Sequence, residues 1–294
     1  MKRTFTYLIL LAPLWSGAQM LNTSAPLDLQ SWHQFDPAFL AAGDIDTIEV
    51  RLQTKRDGRP IKNWNDVQRM AFDDQGRLTE LFQTKAVGSI TDTTHWLLTY
   101  GTHDHYLHKT EHSRSGYYVL EPVLDAEGRT VEMRYDKAPA PEPGQPVRGR
   151  TRINTETFTY TKTDSTEVRT AYNNYGRPYE KRTRTFDALG YATSLRTEFL
   201  VTRRVQTEHY AYDERGRLAE VRFASSHSER TKRHVYRFDL AGSVSQIEAF
   251  ENGKLVNTYE VVYDNAGRID GILVLNAAKG SLKILNFSYP KSAK

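Results

Sequence analysis

The sequence predicts an all-β protein: consecutive antiparallel hairpins in one long, twisted, curved repeat sheet, whose partial closure the pattern leaves open. Three observations predict this. A turn signature of aromatic, Asp or Asn, two free positions and Gly recurs seven times. The stretches between copies are rich in Thr, Tyr, Val and Ile, the residues that suit a pleated surface. No stretch after residue 43 has the period of a helix.

The fullest copy is Tyr212-Asp213-Glu214-Arg215-Gly216-Arg217-Leu218. Good copies run from Phe72-Asp73 to Gly76-Arg77-Leu78 and from Tyr263-Asp264 to Gly267-Arg268-Ile269. Asn173 to Gly176-Arg177 has Pro178 in the apolar slot. Weaker copies are Asp125 to Gly128-Arg129, Asp187 to Gly190-Tyr191 and Asp239 to Gly242-Ser243. The spacing has a mechanism. An Asp or Asn side chain accepts a hydrogen bond from the amide two residues on. The free positions take type I turn dihedrals. Gly then supplies the positive φ of a bulge that keeps the strands twisted. The turn aromatic is expected near the Arg, or the Arg's neighbour, across the hairpin, where stacking or cation–π contact is open to it.

The fifth residue after the Gly is usually apolar: Leu81, Met133, Leu195, Val221, Ile247 and Ile272, with Lys181 breaking the rule. The second often is too: Leu78, Ala192, Leu218, Val244 and Ile269. Each copy thus carries a turn and the start of a half-buried strand. The Gly steps are 52, 48, 14, 26, 26 and 25 residues. About 25 residues fits two strands and two turns, so the two long steps read as two units each. The step of 14 reads as one strand and one turn.

In chain order, Met1-Lys2-Arg3, an apolar run from Tyr7 to Trp15 and Ser16-Gly17-Ala18 make a secretory signal peptide over 1–18. The apolar run is too short for a membrane anchor. Residues 19–43 form an N-terminal segment; Leu29, Trp32, Phe35 and Phe39 at near-helical spacing predict a short helix before Gly43. Residues 44–294 form the β-repeat domain, opening on a strand over 44–54 and a hairpin turn at Asp57-Gly58-Arg59-Pro60. A hairpin over 64–84 and strands over 94–100 and 117–123 follow, with a His-rich connection between those two strands. The proline-rich stretch 138–149 must be a loop, because its prolines cannot join a sheet interior. Strands over 151–162 and 166–172, an Asn252-Gly253 hairpin, and final strands over 271–275 and 282–289 complete the reading.

The signature resembles the YD repeat of the RHS family, whose units read Tyr-Asp-x-x-Gly-Arg-Leu with an apolar residue three further on. Tyr212 to Leu218 with Val221 matches throughout, and residues 72–81 and 263–272 match nearly as well. The resemblance spans about residues 65–290 and implies a β-sheet ribbon of the kind that, in large polymorphic toxins, spirals into a shell. This chain is short for such a shell, and it lacks the Asp-Pro-x-Gly-type signature linked to self-cleavage. What the resemblance implies is therefore architecture rather than toxin delivery. The segment ending Ala18-Gln19 is similar to the signal peptides of exported bacterial proteins.

Composition narrows the function. Net charge is +4, or +2 once Lys2 and Arg3 are removed, too little to argue for nucleic acid. With no Cys, neither disulfides nor thiolate metal sites are open to the chain. His103, His105 and His108 are the candidate metal ligands, since His103 and His105 would share one face of a strand. Asp73-Asp74 raises acid–base work or Ca²⁺, but turn capping accounts for Asp73. No nucleophile elbow, phosphate loop or zinc-protease helix occurs, so no catalytic residue and no cofactor are expected. The expected role is a non-catalytic scaffold or protein-binding surface of the cell envelope, periplasmic or extracellular, with no membrane-spanning segment after signal cleavage. A partner strand would pair with a sheet edge or lie in the concave face. The alternatives are a glycan-binding module using strand aromatics and a metal-dependent enzyme using the histidines of 103–112.

Overall fold

The computed structural model describes residues 19–23, 26–27, 34–56, 58–87, 90–101, 106–113, 116–139 and 149–291. The signal-peptide segment 1–18, Leu29, Trp32 and most of the proline-rich stretch lie outside them. Among the described residues the chain forms one short helix, α1 (Pro37–Ala42), and 18 strands. These are β1 (Thr47–Lys55), β2 (Lys62–Phe72), β3 (Leu78–Val87), β4 (Ile90–Tyr100), β5 (Tyr106–Ser113) and β6 (Gly116–Leu124). Next come β7 (Thr130–Ala138), β8 (Thr151–Lys162), β9 (Thr166–Tyr172), β10 (Pro178–Phe186), β11 (Ala192–Phe199) and β12 (Arg204–Tyr212). The last are β13 (Leu218–Ser225), β14 (Ser228–Phe238), β15 (Val244–Glu251), β16 (Lys254–Tyr263), β17 (Ile269–Asn276) and β18 (Ser281–Ser288). Each strand pairs antiparallel with its neighbours in the chain, and β1 pairs with both β2 and β18. The ribbon of hairpins therefore closes into an 18-stranded barrel.

The His-rich connection holds a strand, β5 (Tyr106–Ser113), which pairs with β4 and β6. One expectation needs correction here. The step from Gly128 to Gly176 holds three strands, β7, β8 and β9, and not the four of two hairpin units. An odd number of strands reverses the end at which a turn sits. The turn of Asn173 and Gly176 therefore lies at the opposite end from the other six. That is why Lys181 breaks the apolar rule. The turn carries the same bulge as the others, but at the inverted end the same local geometry leaves Lys181 on the outer face and Glu180 facing in.

Strand pairing fixes which residues share a face. Met70, Leu81, Val221, Ile247 and Ile272 are buried and face the lumen. Eighteen strands enclose more space than wall side chains can fill; barrels of that size hold water or a plug. Here the N-terminal segment supplies the plug. Met20, Leu21, Leu27, Phe35 and Leu40 join the lumen cluster. Leu21 and Phe35 form an isolated antiparallel bridge, closed by Asn22 N–H to Gln34 O at 2.9 Å and Asp36 N–H to Met20 O at 2.9 Å. Asp36 Oδ1 caps α1 from the Ala38 amide at 2.8 Å and Pro37 opens the helix, a helix start legible in the sequence. Burying each such apolar side chain stabilises the fold by about 1.5–3 kcal/mol.

Candidate functional site at the open end of the barrel

Six of the seven signature turns stand at one end, and the plug lies under those of Gly76, Gly242 and Gly267. The sequence builds each turn locally. Gly76 and Gly128 have φ of +73° and +78°. Asp73 Oδ1 accepts from the amides of Gln75 (3.0 Å) and Arg77 (2.9 Å), while Oδ2 receives Arg77 Nε at 2.8 Å. Asp125, Asp213 and Asp264 hold Arg129, Arg217 and Arg268 in the same fork. Partial burial pushes the Asp73 and Asp213 carboxyls up, but the hydrogen bonds from Arg and the turn amides outweigh it, leaving both below the usual carboxylate range. Asn173, Asp187 and Asp239 accept from the amide four residues on in the same way.

The turn aromatic pairs with the residue after the Arg, as Phe72 with Leu78 and Tyr212 with Leu218. The Arg itself reaches the aromatic of the following turn row. Arg77 lies 4.6 Å over Tyr100, Arg129 4.9 Å over Tyr160, Arg217 4.1 Å over Phe238 and Arg268 4.8 Å over Tyr289. Tyr100 then donates its hydroxyl back to Leu78 O at 2.8 Å, and Tyr263 to Val244 O at 2.8 Å. At the Gly190 turn, Tyr191 takes the place of the Arg and packs on Tyr212 at 4.9 Å. The motif is a clasp between neighbouring hairpins, worth about 0.5–2 kcal/mol per cation–π contact.

The plug is tied to this turn row. Val244 N–H donates to Gln19 Oε1 at 3.1 Å and Ile269 N–H to Met20 Sδ at 3.2 Å. The carbonyl of Pro37 stands where a Cβ on Gly76 would come within 2.1 Å. The N-terminal segment thus covers this end beside the turns of Gly76, Gly242 and Gly267. At the other end, two cavities enter among the described residues. The larger, about 620 Å³, lies between β1–β3 and β16–β18. Its polar wall carries Gln68, Gln83, Asn257 and Asn276, and its charges are Asp66, Lys85, Lys279 and Lys283. Val50, Leu52, Val274 and Leu285 give it an apolar floor. Asn276 Nδ2 donates to Asn257 Oδ1 at 3.0 Å. The smaller cavity, about 340 Å³, is lined by Tyr179, Phe199, Val201, Thr202, Arg204 and His227.

Between these mouths the lumen wall from β4 to β12 is charged. Arg182 Nε meets Glu180 at 2.8 Å, and Arg169 lies 3.7 Å from Glu180 and 4.5 Å over the Phe158 ring. Tyr135 donates to Glu156 at 3.0 Å. Burial, then the hydrogen bond with Glu156, pushes the Tyr179 phenol up to about 12.

His103 and His105 lie outside the described residues. His108 sits on β5 with Nε2 2.9 Å from Thr110 Oγ1 and Nδ1 3.5 Å from Glu121. Burial and then Arg150 push its pKa down, against the pull of Glu121. Among the described residues no group of three or more His, Cys, Asp or Glu is placed to hold a metal ion. Sequence reasoning missed Gln68, Gln83, Lys85, Lys279 and Lys283. A partial signal existed: Gln83 and Lys85 follow lumen-facing Leu81 at strand period two. What brings them opposite Lys283 is ring closure, which no local pattern encodes.

No family model matches the chain, and no curated protein does. Among solved structures, a porin-like protein from Bacteroides uniformis matches at 14% identity and TM-score 0.43, over 84% of this chain and 96% of that one. A porin-like protein from Bacteroides vulgatus matches at 13% identity and TM-score 0.35, over 82% and 98%. A LolA superfamily protein from Nitrosomonas europaea matches at 9% identity and TM-score 0.20, over 88% and 92%.

Proposed function

We propose that this protein is an exported, non-catalytic β-barrel scaffold of the cell envelope, built on YD-type repeats, which captures its partner in the open end of its lumen. The observation that carries this reading is the asymmetry of the two ends: one carrying the chain's own N-terminal segment, the other leading into two cavities. The closed sheet removes a mode expected from the sequence. With β1 joined to β18 there is no free edge for a partner strand, so the concave interior is the surface that remains.

The barrel's outer face supports a location in water. A bilayer-spanning barrel needs an outward apolar band about 25 Å tall. Here outward-facing strand positions carry ion pairs: Arg196–Glu198 at 3.3 Å, Arg237–Glu248 at 3.0 Å, and Glu220 with both Arg222 and Arg233. No helix among the described residues is long and apolar enough to cross a membrane. The outward ion pairs support a barrel in the periplasm or outside the cell.

Cell fractionation and capture test it. The protein should leave the cells' membranes without detergent, and the immobilised barrel should retain a specific envelope component. Fractionation into the detergent phase, or capture that recovers nothing above a control barrel, overturns it.

A further inference from the structure

We infer that the 620 Å³ cavity is a binding site for an anionic oligosaccharide, an inference that rests on the scaffold reading and names what its open end holds. The volume lies within the range of small-ligand sites, about 300–1,000 Å³. The chemistry of the wall selects the class. Gln68, Gln83, Asn257 and Asn276 present carboxamides, which both donate and accept and so suit hydroxyl groups. Tyr259, Val50, Leu52 and Val274 offer an apolar surface against which the C–H face of a sugar ring packs.

Charge selects within that class. Lys85, Lys279 and Lys283 line the cavity against one carboxylate, Asp66. No carboxylate lies within 4.0 Å of the Lys85, Lys279 or Lys283 ammonium among the described residues, whereas in the charged wall Lys109 is taken up by Glu111 at 3.2 Å. Lysines on a wall of that kind meet a carboxylate or sulfate as mobile point charges. An extended peptide is the weaker match. Its backbone amides seek a strand edge, and the strands around the cavity are fully paired on both sides.

Isothermal titration calorimetry with the protein lacking residues 1–18 tests this, using trigalacturonate, galactotriose and pentaglutamate as probes at low and high salt. Trigalacturonate binds, and galactotriose and pentaglutamate each bind at least about tenfold more weakly. The double variant Lys85→Gln/Lys283→Gln loses at least about tenfold in trigalacturonate affinity while keeping its thermal unfolding midpoint. Gln68→Ala/Gln83→Ala weakens trigalacturonate more than pentaglutamate. Equal affinity for pentaglutamate, or an unaltered affinity in the lysine double variant, overturns the inference, as does a failure of trigalacturonate to bind. Envelope capture separates the two readings. If the lysine double variant retains the same component as the wild type, the scaffold reading stands and the saccharide site falls.

Discussion

The two halves of this barrel share one turn chemistry and differ in what they enclose. From β13 through β18 and on to β3, the inward positions are Val221, Tyr236, Ile247, Ile272, Val50 and Leu81, packed against Met20, Leu21 and Leu40. From β4 to β12 the inward positions include Glu111, Glu156, Arg169, Glu180, Arg182 and Glu208. Yet Asp125 grips Arg129 in the charged half just as Asp264 grips Arg268 in the apolar half, at 2.8 and 2.7 Å. The turns therefore decide where the chain reverses. The inward side chains decide whether a reversal ends over a core or over water.

Variants sharpen that comparison. The largest effect is expected in the plug: Leu21→Ala should cost about 2–5 kcal/mol in urea unfolding, because it opens a cavity among buried neighbours. Leu195→Ala, on the inward face of the charged half, should cost about 1 kcal/mol. Equal losses would mean that the two halves are equally packed. Next come two glycines with the same backbone. At Gly128 nothing lies within 4 Å of an added Cβ, so Gly128→Ala carries only the left-handed strain, about 1–2 kcal/mol. At Gly76 the Pro37 carbonyl blocks the Cβ, so Gly76→Ala adds about 1–3 kcal/mol of overpacking. If both cost the same, the plug does not rest on that turn.

Glu180→Gln should destabilise by about 1–3 kcal/mol, since it leaves Arg169 and Arg182 facing one another without their carboxylate. Unfolding midpoints that do not move would show the pairs to be solvated. A smaller effect depends on pH. Burial, and then the Lys232 charge, push His234 down to about 4 from 6.5. Its folded form resists the proton that the unfolded chain accepts. The stability it contributes is complete above pH 6.5 and is lost as pH falls toward 4. After allowance for its partial exposure the loss is about 1–2 kcal/mol. His234→Leu should remove that slope between pH 7.5 and 5; a wild-type slope retained in the variant would assign it elsewhere. The smallest effect belongs to the clasp: Arg217→Met, which leaves Phe238 without its cation and Asp213 without its ion pair, should cost about 0.5–1.5 kcal/mol.

The candidate site was only partly legible. Alternation from Leu81 marks Gln83 and Lys85 as inward, and from Ile272 it marks Val274 and Asn276. The histidines of 103–112 drew attention because imidazole spacing is visible in a line of text. The carboxamide and ammonium groups of the cavity did not, because they come from β2–β3 and β16–β18, nearly 200 residues apart.

By itself the sequence determined the reversals and the inward rows. An Asp-to-Gly turn closes its hydrogen bonds within five residues, as Asp213 does with Arg217, and strand alternation needs only the backbone pleat. Tertiary structure decided that β1 meets β18, that three strands between Gly128 and Gly176 put one turn at the far end, and that Met20, Leu21, Leu27, Phe35 and Leu40 fill the lumen from within. Those outcomes rest on backbone pairing and on filling a lumen of fixed circumference. Both are properties of the whole ring, and no local run of residues carries their mark.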